Sequence, residues 1–244
     1  MALLEVQRIN KAFGGLQAVK DLSFTLESGE ILGIIGPNGA GKTTAFNMIA
    51  GYFPPDAGRI VFKGEDITSL RPWDISHRKI ARTFQLSKPF GDLSVLENVM
   101  VGGFHHQGSR AAARRKAEEM LQVVGMAHQA EIEAHNLTAT DRKRLELARC
   151  LATDPELLLL DEVVAGATPI EAEGMMDLIR KIRDSGVTII MVEHVMRVIM
   201  GLSHRVLVLH HGETIAVGEP QTVSRDPTVL KAYLGERYGQ LGSA

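Results

Sequence analysis

The sequence has a single cysteine, almost no net charge, no long apolar run and no internal repeat, and each absence closes off a class of protein. Cys150 lies inside the apolar-periodic run Leu145-Glu146-Leu147-Ala148-Arg149-Cys150-Leu151-Ala152, where a buried free thiol is expected rather than a nucleophile or a metal ligand. A disulfide framework is thereby excluded, and a reducing, cytosolic compartment is expected. No apolar stretch reaches the roughly 18 residues of a spanning helix. The opening residues, Met1-Ala2-Leu3-Leu4-Glu5-Val6, lack the charged and apolar regions of a signal peptide, so neither membrane insertion nor export is expected. A formal charge of −2 with interspersed signs leaves no electrostatic footprint for nucleic acid.

What is present is enough for a large core. The chain has 244 residues, 45% of them hydrophobic, which suffices for one large α/β domain or two small ones without staples. Its most informative stretch is Gly36-Pro37-Asn38-Gly39-Ala40-Gly41-Lys42-Thr43-Thr44, which matches the phosphate-cradling loop G-x-x-x-x-G-K-[ST] at every fixed position. Glycines at those places let successive backbone N–H groups converge on phosphates. Lys42 can reach β and γ oxygens, and the Thr43 hydroxyl can ligate Mg²⁺. The context fits: Glu30 to Ile35 reads as a buried strand, and Thr44 to Ala50 as a helix whose N-terminus faces the anion. A nucleoside triphosphate is the expected ligand.

Short alternating stretches at Leu4 to Ile9, Leu22 to Leu26 and Arg59 to Phe62 predict antiparallel strands around this loop. A further strand leads to Thr83-Phe84-Gln85. From Ser94 to Gly125 the pattern becomes helical, with Ser94 and Ser109 as caps and Gly125 as a stop. Leu157 to Leu160 and Val187 to Val192 are continuous apolar runs, as expected of parallel strands buried on both faces. Between them, Thr168-Pro169-Ile170-Glu171 predicts a capped helix ending near Gly186. The tail from Pro220 reads as two short helices split at Asp226-Pro227.

The second apolar run ends in Asp161-Glu162, two carboxylates at the C-terminal edge of a strand, where ligands of open α/β sheets bind. Asp161 suits Mg²⁺ held through its water shell, and Glu162 suits orientation or deprotonation of an attacking water. His194 follows the next buried strand and can act as a γ-phosphate sensor. His105, His106, His210 and His211 are expected in exposed loops. Gln85, at the entrance to the helical insertion, can contact Mg²⁺ or the attacking water and report nucleotide state to that insertion.

With these motifs in this order the chain resembles the ATP-binding subunit of ABC transporters over essentially its whole length. The resemblance implies a P-loop NTPase (RecA-like) α/β core with an antiparallel β layer and a helical subdomain. Residues 1–85 form the β-rich part of the core, 86–152 the helical subdomain, 153–218 the rest of the core and 219–244 a C-terminal helical extension. It also implies that Phe13, 29 residues before Lys42, stacks on adenine. ATP and Mg²⁺ are the implied cofactors. The implied partners are a second ATPase subunit, identical or paralogous, a transmembrane permease and, indirectly, a solute-binding protein, with the chain peripheral on the cytoplasmic face of the inner membrane. The phrases Phe13-Gly14-Gly15-Leu16, Arg82-Thr83-Phe84-Gln85, Leu145 to Arg149 and Ala232-Tyr233-Leu234-Gly235 look like the branched-chain amino acid importer subgroup. Amide or urea import remains an alternative. Pro89, Phe90, Leu93, Val95 and Leu96 are expected to form an apolar groove for a short permease helix.

One motif departs from the family. The signature segment, usually Leu-Ser-Gly-Gly-Gln, falls on Leu137-Thr138-Ala139-Thr140-Asp141. In the family this segment binds the γ-phosphate held by the opposite subunit. Thr138 keeps the hydroxyl, Thr140 adds a side chain where glycine is usual, and Asp141 places a carboxylate beside a phosphate, with Arg142 and Lys143 available to offset it. Thr138 and Asp141 also have the spacing of a plain helix cap. Hydrolysis is expected because the other catalytic residues are intact; a regulatory module that binds ATP without hydrolysing it, a small-molecule kinase and a soluble ABC protein acting on DNA or ribosomes are the rival readings.

Overall fold

A computed structural model describes residues 2–85, 88–105 and 108–234. His106 and Gly235, named above, lie outside the described residues. In chain order the elements are β1 (Leu4–Phe13), β2 (Leu16–Leu26), β3 (Ile31–Ile35), α1 (Lys42–Ile49), β4 (Ala57–Phe62), β5 (Glu65–Asp66), α2 (Pro72–His77), β6 (Ile80–Arg82), α3 (Val95–Gly103), α4 (Arg110–Val123), α5 (Ala139–Leu151), β7 (Leu157–Asp161), α6 (Pro169–Asp184), β8 (Thr188–Val192), α7 (Met196–Leu202), β9 (Arg205–His210), β10 (Glu213–Gly218), α8 (Pro220–Val223) and α9 (Pro227–Leu234). The chain folds into two compact units, Met1–Pro72 with Thr188–Ala244, and Trp73–Val187. No helix of the described residues is long and apolar enough to cross a membrane.

The first unit holds two sheets. One is antiparallel, in the order β2-β1-β4-β5, with Val6 opposite both Phe24 and Ile60. Leu4, Val6, Leu22, Phe24, Leu26, Ile60 and Phe62 are buried while their neighbours are more exposed, the period-2 signature of a sheet covered on one face. In the other sheet β3 is central, parallel to β8 on one side and to β9 on the other, with β10 antiparallel on the edge. Every residue of β3 and of β8 is buried, which is why both read as unbroken apolar runs. Ile34 pairs with Val192 and Ile35 with Val208, so these three strands end along one edge.

The second unit pairs β6 and β7 in parallel, Ile80 with Leu157 and Arg82 with Leu159. Around them α3, α4 and α5 bury Val95, Val99, Ala113, Ala117, Leu121, Leu145 and Leu151. The α3–α5 approach needs Gly102, where an added β-carbon would lie 2.3 Å from the Arg149 carbonyl oxygen. Caps fall where the sequence places them. Ser94 and Glu97 form a complete capping box, Ser109 accepts from the Ala112 amide, and Thr168 and Glu171 form a second box with Pro169 in the first turn.

Three expectations are corrected. Cys150 is half-buried rather than buried, its thiol donating to the Arg82 carbonyl at 3.2 Å. Burial nonetheless pushes the thiol up to about 12, so it stays protonated and unreactive near neutral pH. His105 is half-buried and stacked on His77 at 4.3 Å, and His210 is a half-buried residue of β9; neither is an exposed loop residue. Val95 and Leu96 are 0% and 3% exposed; of the expected groove Phe90, at 47%, is exposed, and Pro89 and Leu93 are half-buried. Most of the apolar side chains of α3, Val95, Leu96, Val99 and Met100, are in the core.

Thr168→Ala removes the hydroxyl that accepts from the Glu171 amide, one half of the α6 capping box, and leaves the Thr168 amide bonded to the Glu171 carboxylate. Stability is expected to fall by about 1 kcal/mol, seen as a lower urea midpoint at unchanged slope.

Candidate active site

In the first unit β3 runs straight into the phosphate loop. Gly36 has φ +155°, and a β-carbon there would lie 2.2 Å from the Leu209 carbonyl oxygen of β9. Gly41 has φ +100°, and its β-carbon would meet the Ala18 carbonyl oxygen at 2.4 Å. Both positions therefore need glycine on backbone angle and on space. Helix α1 starts immediately after Gly41 with no side-chain cap and no acid in its first turn. Its first amides and the positive end of its dipole are left for an anion. The Lys42 ammonium curls back to donate to the carbonyls of Gly36 at 2.8 Å and Pro37 at 2.9 Å. Asn38, Gly39 and Thr43 are exposed, Pro37 and Thr44 half-buried, and Ala40 buried.

His194 is exposed two residues beyond the end of β8. Because Val192 pairs with Ile34, two residues before Gly36, the sheet carries His194 and the phosphate loop along the same edge. Phe13, at the end of β1, is 48% exposed and packs edge-on against Phe53, with centroids 5.3 Å apart. The Lys11 ammonium lies 5.4 Å from the Phe53 ring and is ion-paired with Asp56 at 2.6 Å. Phe53 and Lys11 were not among the sequence-derived candidates; the aromatic pair Tyr52-Phe53 just after α1 was the available signal. Tyr233 of α9 hydrogen-bonds the backbone of Gly36, while burial raises its phenol above the usual range.

The second unit gathers Gln85, Asp161 and Glu162. Asp161 closes β7, is buried, and pairs through Oδ2 with the Arg82 guanidinium at 3.0 Å. Its amide donates to the Thr83 hydroxyl at 3.1 Å. Glu162 follows at φ +51°, a left-handed conformation that costs a residue with a β-carbon about 1–2 kcal/mol. Its carboxylate accepts from Gln85 Nε2 at 2.9 Å. Two residues of α5 reach this region, Lys143, read from the sequence only as a charge beside Asp141, and Glu146, given no role there. Lys143 Nζ donates to the carbonyls of Glu162 at 3.1 Å and Ala165 at 2.6 Å, and the Glu146 carboxylate accepts from the Phe84 amide at 2.7 Å.

The signature segment starts α5 as a capped helix. Thr138 Oγ1 accepts from the Asp141 amide at 3.1 Å and donates to Asp141 Oδ2 at 2.8 Å. Thr140 Oγ1 donates to Glu171 Oε1 at 2.8 Å. The Thr168 amide, then the Thr168 and Thr140 hydroxyls, hold the Glu171 carboxyl below the usual carboxylate range. Arg142 donates to the His135 carbonyl at 2.8 Å. Arg142 and Lys143, expected to offset the Asp141 charge, hydrogen-bond to backbone carbonyls, Arg142 to that of His135 and Lys143 to those of Glu162 and Ala165.

A buried parallel strand leading into this phosphate loop, a second buried strand ending in paired acids, and a capped helix after a helical insertion are the features of an ATP-binding cassette. The chain belongs to the family described as "ABC transporter", whose profile matches residues 19–165, and it is an ABC-type ATPase. A second profile, described as "Branched-chain amino acid ATP-binding cassette transporter", matches residues 213–239. The high-affinity branched-chain amino acid transport ATP-binding protein LivG of Salmonella typhimurium is 38% identical over 250 residues, covering 96% of this chain and 98% of its own. The lipopolysaccharide export system ATP-binding protein LptB of Escherichia coli is 36% identical over 239 residues, covering 98% and 99%. The crystal structure of the ADP conformation of MJ1267, an ATP-binding cassette of an ABC transporter, superposes with a TM-score of 0.88 at 30% identity, covering 97% of this chain and 100% of that one.

Thr140→Gly places a glycine inside α5 and removes the bond to Glu171. The helix penalty is about 1 kcal/mol and the lost bond adds about 1 more. Urea unfolding is expected to show the combined loss, and Thr140→Ser, which keeps the hydroxyl, to recover much of it.

Proposed function

We propose that this chain is the ATP-hydrolysing subunit of an importer for branched-chain or related small amino acids. It works as a dimer with itself or a paralogue on the cytoplasmic face of the inner membrane, and closing and reopening of that dimer drives a separate permease fed by a solute-binding protein. The observation that carries the hydrolytic part is the Gln85–Glu162 hydrogen bond of 2.9 Å next to buried Asp161. It presents a carboxylate oriented by a neutral amide, which suits a group that must hold and deprotonate water.

In this reading the backbone amides of residues 36–44, with Lys42, bind the ATP phosphates, and Phe13 offers its exposed ring to adenine. His194 senses the γ-phosphate from the same sheet edge. The Thr43 hydroxyl, the Asp161 carboxylate and the Gln85 amide oxygen are hard oxygen donors of the kind magnesium selects. Mg²⁺ held by these residues would supply positive charge to the phosphates during transfer. Thr138 and Thr140 stand where the family contacts the partner's nucleotide. Their hydroxyls are engaged locally, so contact with the partner falls more on the amides that begin α5. Residues 86–152 form the subdomain that meets the permease.

A cassette alone does not select a solute, since LptB is nearly as similar as LivG. The match over residues 213–239 favours the branched-chain subgroup.

Lys42→Ala is expected to weaken ATP binding, whereas Glu162→Gln is expected to bind ATP normally and lose at least about 100-fold in turnover. Phosphate release from Glu162→Gln at the wild-type rate would remove Glu162 as the base.

Phe90, with the Arg149 guanidinium 4.9 Å from its ring centroid, is the most exposed member of the expected docking surface. Phe90→Asp should leave ATP binding intact and abolish coupled leucine uptake in permease vesicles; normal uptake would put docking elsewhere.

A further inference from the structure

Three polar residues of α5 stand three apart on one stripe of the helix: Thr140, Lys143 and Glu146. Each reaches a different part of the site region. Thr140 bonds Glu171 at the start of α6, Lys143 bonds the carbonyls of Glu162 and Ala165, and Glu146 bonds the Phe84 amide, one residue before Gln85. The helix that begins with the signature segment thus grips, by side chains, the backbone on which both Glu162 and Gln85 are mounted.

Lys143 has the most specific geometry of the three. The turn it binds is short, with the Ala165 amide donating to the Glu162 carbonyl at 3.2 Å and the Ala167 amide to the Val164 carbonyl at 3.0 Å. Glu162 enters that turn at φ +51°, an angle that persists only where the surroundings hold it. An ammonium has three donors and no acceptor, and two of its bonds here go to the first and last carbonyls of the segment 162–165. That clasp sets the direction in which the Glu162 side chain leaves the backbone.

We infer that Lys143 is a positioning residue for hydrolysis: by holding the carbonyls of Glu162 and Ala165 it fixes the Glu162 carboxylate against Gln85 and ties that geometry to the signature helix of the same chain. The inference rests on the reading of Glu162 as the base. Movement at the start of α5, where a partner's nucleotide would press, then reaches Glu162 through one side chain.

The test uses the full chain and three measurements: equilibrium binding of ATP, single-turnover hydrolysis and amide hydrogen exchange. Lys143→Met keeps the length of the side chain and removes its donors. Its ATP dissociation constant is expected to stay within about twofold of wild type while single turnover slows about 10- to 100-fold, the scale of a misplaced catalytic group. Amides of residues 163–167 should exchange faster. Lys143→Arg, which restores donors, should recover to within about fivefold of wild type. Adding Lys143→Met to Glu162→Gln should slow the reaction no further, because both changes act through one carboxylate. Should Lys143→Met not purify folded, Lys143→Gln carries the same comparison. Wild-type turnover in Lys143→Met beside an inactive Glu162→Gln overturns the inference and leaves the base reading standing. An active Glu162→Gln overturns the base reading itself. Loss of ATP affinity in step with rate, without recovery in Lys143→Arg, reduces Lys143 to a structural residue and also overturns the inference.

Discussion

A buried parallel strand must stop, and where it stops its backbone groups lose their ladder partners without gaining free access to water. That constraint organises the chemistry of both units. At the end of β3 the chain solves it with backbone freedom: glycines at positions 36 and 41 take angles and approaches closed to other residues, and the orphaned amides of α1 are left facing outward. At the end of β7 the residue that follows is a glutamate at φ +51°, so its left-handed turn has to be held from outside. The Lys143 ammonium supplies that hold by accepting the role a partner strand would otherwise fill.

The two solutions differ in what they leave available. The first exposes donors, which suits a polyanion. The second exposes an acceptor, the Glu162 carboxylate, which suits a water molecule that must lose a proton. The Arg82–Asp161 pair, both side chains under a tenth exposed, adds a fixed positive charge beside the strand end. A buried carboxylate there without a counter-charge would be driven towards its neutral form.

Much of this was legible in the sequence because it is local. The phosphate loop, the cap at Ser94, the capping box at Thr168, the stop at Gly125 and the break at Asp226-Pro227 are all encoded within a few residues, and each stands in the structure at its expected place. The ties that position the site were not legible, because their partners are remote: Lys143 and Glu162 are 19 residues apart, Glu146 and Phe84 62, Arg82 and Asp161 79. A lysine five places after a helix cap reads as a solvated charge until the fold supplies its acceptors. The misreading of Leu96 has a related cause. Leucine is equally at home in a groove and in a core, and only the packing of α3 against α4 and α5 decides between them.

The antiparallel sheet of the first unit ends on β5, which is two residues long and consists of Glu65 and Asp66, both exposed. The Thr68 hydroxyl and amide hold the Asp66 carboxyl below the usual carboxylate range, so its charge persists into mildly acidic solution. An open sheet edge is a template for strand addition, and shortness combined with like charge blunts it. On this side of the sheet, growth by further strands is blocked by two neighbouring carboxylates.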